Sequence, residues 1–180
     1  MSRDENEDLW ELSPETAHPQ AAQILADEFF WDCTDENSPF GNDTGADALD
    51  FFREWRAEHP RTNPVESLRK ILEELFGVPD AHWNAVEPFE VQALLDETAD
   101  DVFVRDDTVI AVAFGQIVLE GKVDAEIKRR AMLALQRQSL PTLIEHRGWI
   151  SPPERIERLR RMLEVLGGLS LGDTTDFNGR

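Results

Sequence analysis

The segment 108–119 constrains the fold of this chain more than any other, because it is apolar on every face. It reads TVIAVAFGQIVL and must be buried whichever backbone conformation it adopts. Its β-branched residues would allow a strand, with Arg105, Asp106 and Asp107 forming the turn of a small hairpin over residues 102–119. Its length, the helix formers around it and the lack of obvious partner strands favour a buried central helix.

Helical periodicity recurs on both sides of this segment. The clearest signal spans residues 63–77, where Asn63 is a helix cap, Pro64 suits a first turn and Gly77 suits the residue after the end. Ser151 begins a second capping motif before the last helix. The same reasoning predicts further helices over residues 19–31, 44–59, from 88 onward, 124–138, 141–146 and 152–166, with a short helical piece around Trp83.

We therefore predict an all-α fold, a compact multi-helix single domain with a buried central helix. The domain is expected to cover residues 13–168, with a flexible acidic N-terminus (1–12) and a flexible tail (169–180). A hydrophobic content of 41% is enough for an ordinary core.

Charge is distributed unevenly along the chain. The formal net charge is −19, and residues 1–120 carry −22 whereas residues 121–180 carry +3. Such a field repels nucleic acid and anionic lipid and attracts basic proteins. Solubility, or adaptation to a salty cytoplasm, would explain the same excess. The basic residues near the C-terminal end are expected to lie against the acidic part of this chain or of a second copy.

Cys33 is the only cysteine, so neither an intrachain disulfide nor a cysteine-based zinc site is expected. The N-terminus lacks the apolar stretch of a signal peptide, and no window of 18 residues is apolar and uncharged. These features predict a cytoplasmic protein that contacts no membrane. No cofactor motif is present, and no cofactor is expected.

The most distinctive stretch is the acidic segment 31–47, in which Trp31 and Phe40 are predicted anchors. The predicted partner-binding residues are Trp31, Asp32, Asp35, Glu36, Phe40, Asn42, Asp43 and Asp47. Asp35, Asp43 and Asp47 are also weak candidates for ligands of a divalent metal ion, although the order of an EF-hand is not met. A purely structural interpretation stays open, in which Asp43 caps a helix and the aromatic side chains are core.

No catalytic residue is predicted. The four histidines lack the spacing of a helical metal pair, and no phosphate-binding loop or nucleophile motif is present. Adjacent acids such as Asp106 and Asp107 would point about 100° apart on a helix, so they do not form a proton-sharing pair. A solvated helix face is the expected place for them.

The sequence SPFGNDTGAD of residues 38–47, followed by FFREWR at 51–56, resembles the uncharacterised bacterial YfeS-like proteins. Segments 114–122 and 134–138 are compatible with the same resemblance. It implies a bacterial origin, in a class where some small acidic proteins neutralise toxins. It implies no catalytic residue.

Together these features predict a non-enzymatic acidic protein that binds a basic protein partner, in the manner of an immunity or antitoxin-like inhibitor. Two alternatives stay open. One is a divalent-metal-dependent enzyme that uses the acidic loop, and the other is a structural or regulatory homodimer.

Overall fold

A computed structural model describes residues 10–170, and within them every regular element is helical. The α-helices are α1 (Ala21–Ile24), α2 (Asp43–Glu58), α3 (Val65–Lys70), α4 (Pro88–Glu120), α5 (Ala125–Gln138), α6 (Pro141–Arg147) and α7 (Pro152–Gly168). A 3₁₀ helix (Glu28–Trp31) follows α1, and α3 continues as a π-helix (Ile71–Phe76). The predicted all-α fold is confirmed.

Helix α4 is the centre of the core. Its residues 105–118 are buried, α2 and α5 pack directly against it, and α7 packs against α5. Gly115 lets α2 come close, since a Cβ there would lie 3.0 Å from Leu49 Cδ1. The prediction of a buried helix over 108–119 is confirmed. The hairpin considered over 102–119 is absent because one helix runs through both segments and satisfies its own backbone hydrogen bonds.

A break at Thr98 divides α4 into two parts. Its backbone angles (φ −148°, ψ 63°) are not helical. A small cluster separate from the main core contains Val91 and Leu95 before the break, Val102 just after it, and Leu143 of α6. The later residues of α4, from Val109 to Val118, belong to the main core.

The predicted helix over residues 19–31 is wrong, because α1 ends at Ile24 and a 3₁₀ helix follows after an extended residue at Asp27. The turn buries both Phe29 and Phe30. Trp31 secures the turn by donating its indole N–H to the Leu25 carbonyl at 2.8 Å.

Two predicted details near other helices are also wrong. The segment around Trp83 is a turn, with His82 in the left-handed region (φ 62°) and the Trp83 indole donating to Asp80 Oδ1 at 2.5 Å. Ser151 precedes α7, but its side chain makes no capping hydrogen bond. On α7, Ile156 is exposed, whereas its neighbour Arg155 is buried.

The predicted flexible N-terminus lies mostly, and the tail almost wholly, outside the described residues. Within residues 10–170, no helix is both long and apolar enough to cross a membrane.

Candidate binding cleft

The loop between the 3₁₀ helix and α2 is built by its own polar side chains. Asp32 Oδ1 accepts hydrogen bonds from the Thr34 hydroxyl at 2.6 Å and the Thr34 N–H at 2.8 Å, and these bonds lower the pKa of Asp32. Asp35 Oδ1 accepts from the Asn37 N–H at 2.9 Å. Position 41 requires glycine because the Asp35 carbonyl oxygen lies so close that a Cβ there would overlap it. Two of the predicted binding carboxylates therefore also shape the loop.

Asn42 caps α2, with its Oδ1 accepting from the Gly45 N–H at 2.7 Å. The cap was predicted at Asp43, one residue too late, and Asp43 instead occupies the first turn of the helix. An acid in this position is stabilised by the positive end of the helix dipole. Its carboxylate stays exposed.

The predicted partner-binding residues divide into two groups by exposure. Phe40 is buried and Trp31 is half-buried, so both anchor the loop to the core rather than present a surface. Five of the others lie exposed or partly exposed around the loop and the start of α2, namely Asp32, Asp35, Glu36, Asp43 and Asp47. Asn42 is partly exposed as well.

A metal site is not assembled from these residues. Among residues 10–170, no three His, Cys, Asp or Glu side chains are grouped so that they could hold a metal ion. Asp35, Asp43 and Asp47 therefore do not form a joint site in this structure.

The loop forms one wall of an open cleft of about 460 Å³. Glu36, Asn42 and Asp43 line it on the loop side. The opposite wall comes from the end of α6 and the start of α7, where Arg147, Trp149 and Arg155 line the cleft. Sequence reasoning predicted the first wall and missed the second.

A buried ion pair joins α4 and α5. Arg137 on α5 donates to Asp106 on α4 through Nη2 at 2.6 Å and Nε at 3.1 Å, and both side chains are almost fully buried. Arg137 also donates to the Ala85 and Trp83 carbonyls. Asp106 was expected on a solvated face, and that prediction is wrong because its helix is enclosed on all sides.

A second set of polar contacts connects this region to the cleft. Arg147 donates to Asp107 at 3.1 Å and 2.6 Å, and Gln138 Nε2 donates to Asp107 Oδ1 at 3.0 Å. Gln138 Oε1 in turn accepts from Arg155 Nη2 at 2.5 Å. Asp107, predicted to be solvated, is thus a buried acceptor that orients the arginine side of the cleft.

Arg155 differs from Arg137 and Arg147, which each pair with a carboxylate. It is 4% exposed, and no carboxylate of the described residues lies within 4 Å of its guanidinium. Its Nη1 makes one long contact (3.4 Å) with the Asn37 carbonyl, and its buried Nε has no acceptor. Burial lowers the pKa of Arg155 to about 10. The Trp149 ring covers the guanidinium, with 4.4 Å from the ring centroid to Cζ.

One sequence signal could have located the buried charges. Arg105, Asp106 and Asp107 directly precede the apolar segment 108–119. A helix that is enclosed over its apolar length also encloses charges next to it, and buried charges need partners of opposite sign. The expectation that basic C-terminal residues lie against acidic ones of the same chain agrees with Arg130–Asp80 at 3.1 Å and Arg161–Asp27 at 2.5 Å.

Helix α2 carries a row of exposed acids next to the cleft, which we call the α2 stripe: Asp43, Asp47, Asp50, Glu54 and Glu58. Spacings of three and four residues place them along one face of the helix. No Lys or Arg of the described residues lies within 4 Å of any of them. The two arginines of α2 are engaged elsewhere, Arg53 over the Trp10 ring and Arg56 with Glu120.

The chain was compared with known proteins. No family model matches it, and no solved structure matches it. It is 30% identical over 135 residues to the uncharacterised protein YfeS of Escherichia coli (strain K12), which covers 74% of this chain. The resemblance to the YfeS-like proteins is thereby confirmed. The chain spans about half (54%) of the length of YfeS, and the name of YfeS states no activity.

The environment of Asp106 gives a testable pH dependence. Burial raises its pKa from 3.8 to about 6, although Arg137 opposes the rise by attraction and hydrogen bonding. The folded protein therefore binds this proton at a pH where the unfolded chain has lost it, so the contribution of Asp106 to the free energy of unfolding falls as the pH rises from about 4 to about 6.

Carbon-13 NMR of the carboxyl carbons measures this directly. The Asp106 signal is expected to titrate with a midpoint near pH 6, and the exposed Asp32 below 3.8 in the same sample. A midpoint for Asp106 below that of Asp32 would contradict the dominance of burial.

Proposed function

We propose that this protein binds a basic protein partner through the α2 stripe and the adjoining acidic loop, as an inhibitor of the immunity or antitoxin type. The observation that carries the proposal is that no Lys or Arg of the described residues lies within 4 Å of any acid of the α2 stripe. Like charges three or four residues apart destabilise a helix by about 0.2–0.5 kcal/mol per pair, so the acids of the stripe beyond the first turn do not serve the stability of α2. A cationic surface of complementary shape would relieve this repulsion.

Exposed acids on α7, in contrast, have arginine partners on their own helix. Glu154, Glu157 and Glu164 lie within 4.0 Å of Arg158, Arg160 or Arg161 on the same helix. A general need for solubility does not distinguish α2 from α7, whereas a docking function does. The inhibitory action would follow from carboxylates that occupy the site where a toxin such as a nuclease holds phosphate.

A charge-matched pair of variants tests the proposal. Asp47→Asn, Asp50→Asn and Glu54→Gln together remove three charges from the α2 stripe, while Glu154→Gln, Glu157→Gln and Glu164→Gln remove three from α7. Each protein is immobilised and exposed to lysate of its native host at low ionic strength. We expect a basic partner to bind the wild type and the α7 variant, and to bind the α2 variant at least about tenfold more weakly.

The captured partner must also be inhibited in its own activity by the wild-type protein. The binding should weaken steeply with salt, because the Debye length is only about 10 Å at 0.1 M. Equal capture by the two variants, or a partner without a basic surface, would refute a role for the α2 stripe.

A further inference from the structure

We propose that the cleft between the acidic loop and the α6–α7 connection binds a zwitterionic ligand, with a carboxylate on Arg155 and a neighbouring cationic group facing Glu36 and Asp43. The ligand class is a peptide C-terminus or an amino acid. The cleft shares Asp43 with the α2 stripe, but the basic partner plays no part in this inference.

Arg155 supplies the anion-binding group. A guanidinium has five N–H donors in a planar fork that matches a carboxylate. The contacts of Arg155 with Gln138 and Asn37 engage only part of that fork, and its Nε has no acceptor. Removing a charge from water without a paired counter-charge is costly, and a bound carboxylate would compensate for it.

Arg147 does not compete for this role. Its two Nη atoms are occupied by both oxygens of Asp107, so its charge is already balanced. Trp149 lies between the two arginines, with its centroid 4.4 Å from Arg155 Cζ and 6.0 Å from Arg147 Cζ. The ring holds the Arg155 guanidinium in place and gives the cleft an apolar wall.

The other wall determines the second charge of the ligand. Glu36 and Asp43 are exposed at the opposite side of the same cleft. Together with the net charge of −19, they disfavour a dianion such as phosphate and attract a cation next to the carboxylate. A volume of about 460 Å³ lies within the range of ligand sites, about 300–1,000 Å³.

Calorimetry on the full chain with three probes tests the charges separately. The probes are N-acetyl-Gly-Gly-Lys as free acid, the same peptide as C-terminal amide, and N-acetyl-Gly-Gly-Ala as free acid. We expect the lysine acid to bind about tenfold or more tightly than either of the others, because each of them lacks one charge-assisted contact.

Two variants assign the contacts. Arg155→Gln should abolish the preference for acid over amide. The double variant Glu36→Gln, Asp43→Asn changes two exposed positions; it should abolish the preference for lysine over alanine and keep the preference for acid over amide. Free lysine distinguishes the source, since equal or tighter binding than the lysine peptide acid supports a free amino acid and weaker binding supports a peptide C-terminus.

The proposal fails if acid and amide bind wild type equally, if inorganic phosphate binds more tightly than the lysine acid, or if no probe binds at millimolar concentration. Retention of the lysine preference in the double variant Glu36→Gln, Asp43→Asn would overturn the assigned cation contact even if Arg155→Gln did not fold. These results do not test the proposed basic partner, because no partner protein is used.

Discussion

Replacing Arg137 by methionine is expected to lower the free energy of unfolding by about 3–5 kcal/mol, the largest effect of any single polar substitution in the described chain. The variant keeps most of the side-chain volume but leaves Asp106 buried without its bidentate donor. It also leaves the Ala85 and Trp83 carbonyls without that guanidinium. Urea unfolding followed by circular dichroism measures the loss.

A double variant separates lost pairing from lost packing. Arg137→Met combined with Asp106→Leu removes both charges, and such exchanges of a buried pair for apolar residues are often neutral or stabilising. We expect the double variant to recover most of the stability. Arg160→Met, on the exposed face of α7, is the control and should leave unfolding unchanged. If the double variant were as unstable as the single one, the cost would lie in packing or in the Ala85 and Trp83 carbonyls left without a donor, and not in the unpaired charge.

Replacing Gly41 by alanine is expected to destabilise the protein by about 3 kcal/mol, at the upper end of overpacking costs. The new Cβ would overlap the Asp35 carbonyl and come within 3.2 Å of Glu36 Cα, so the backbone of the loop must move. Because Glu36, Asn42 and Asp43 line the cleft, the same change should weaken ligand binding there.

The matched control is Gly168→Ala at the end of α7, where an added Cβ meets nothing within 4 Å. Alanine is the better helix former by up to about 1 kcal/mol, so that variant should be neutral or slightly more stable. Thermal unfolding of both variants, with amide chemical shifts of the loop residues, tests the prediction. A stable Gly41→Ala protein with unchanged amide chemical shifts in the loop would show that the loop accommodates the added Cβ and would contradict the prediction.

The central helix could be predicted from the sequence because its apolar pattern leaves no solvent-facing side. A segment like 108–119 must be enclosed, and a helix needs no partner to satisfy its backbone. The caps at Asp124 and the helix end at Gly77 were equally local, since a side-chain oxygen or a left-handed glycine acts within a few residues. The YfeS-like resemblance also rested on a continuous stretch of sequence.

The breaks within helices could not be predicted from neighbouring residues in the sequence. The bend at Leu25–Asp27 exists because Phe29 and Phe30 both reach the core, where Phe30 packs 5.3 Å from Phe114 between ring centroids. Periodicity within residues 19–31 carries no information about a residue on α4. Helix propensity was overridden by tertiary packing at this place.

The acidic loop was identified from its sequence, whereas its function as a cleft wall was not. The acidic residues of the loop and the net charge of −19 follow from the sequence alone, and they predict an acidic surface. The opposite wall depends on α6 and α7 returning to the loop, which places Arg155 beside Asn37, 118 residues away. Charge sign and local periodicity are properties of the chain, but the burial of Asp106, Asp107 and Arg155 is a property of the packed helices. Only the tertiary structure decides which charges lose their water and therefore need partners.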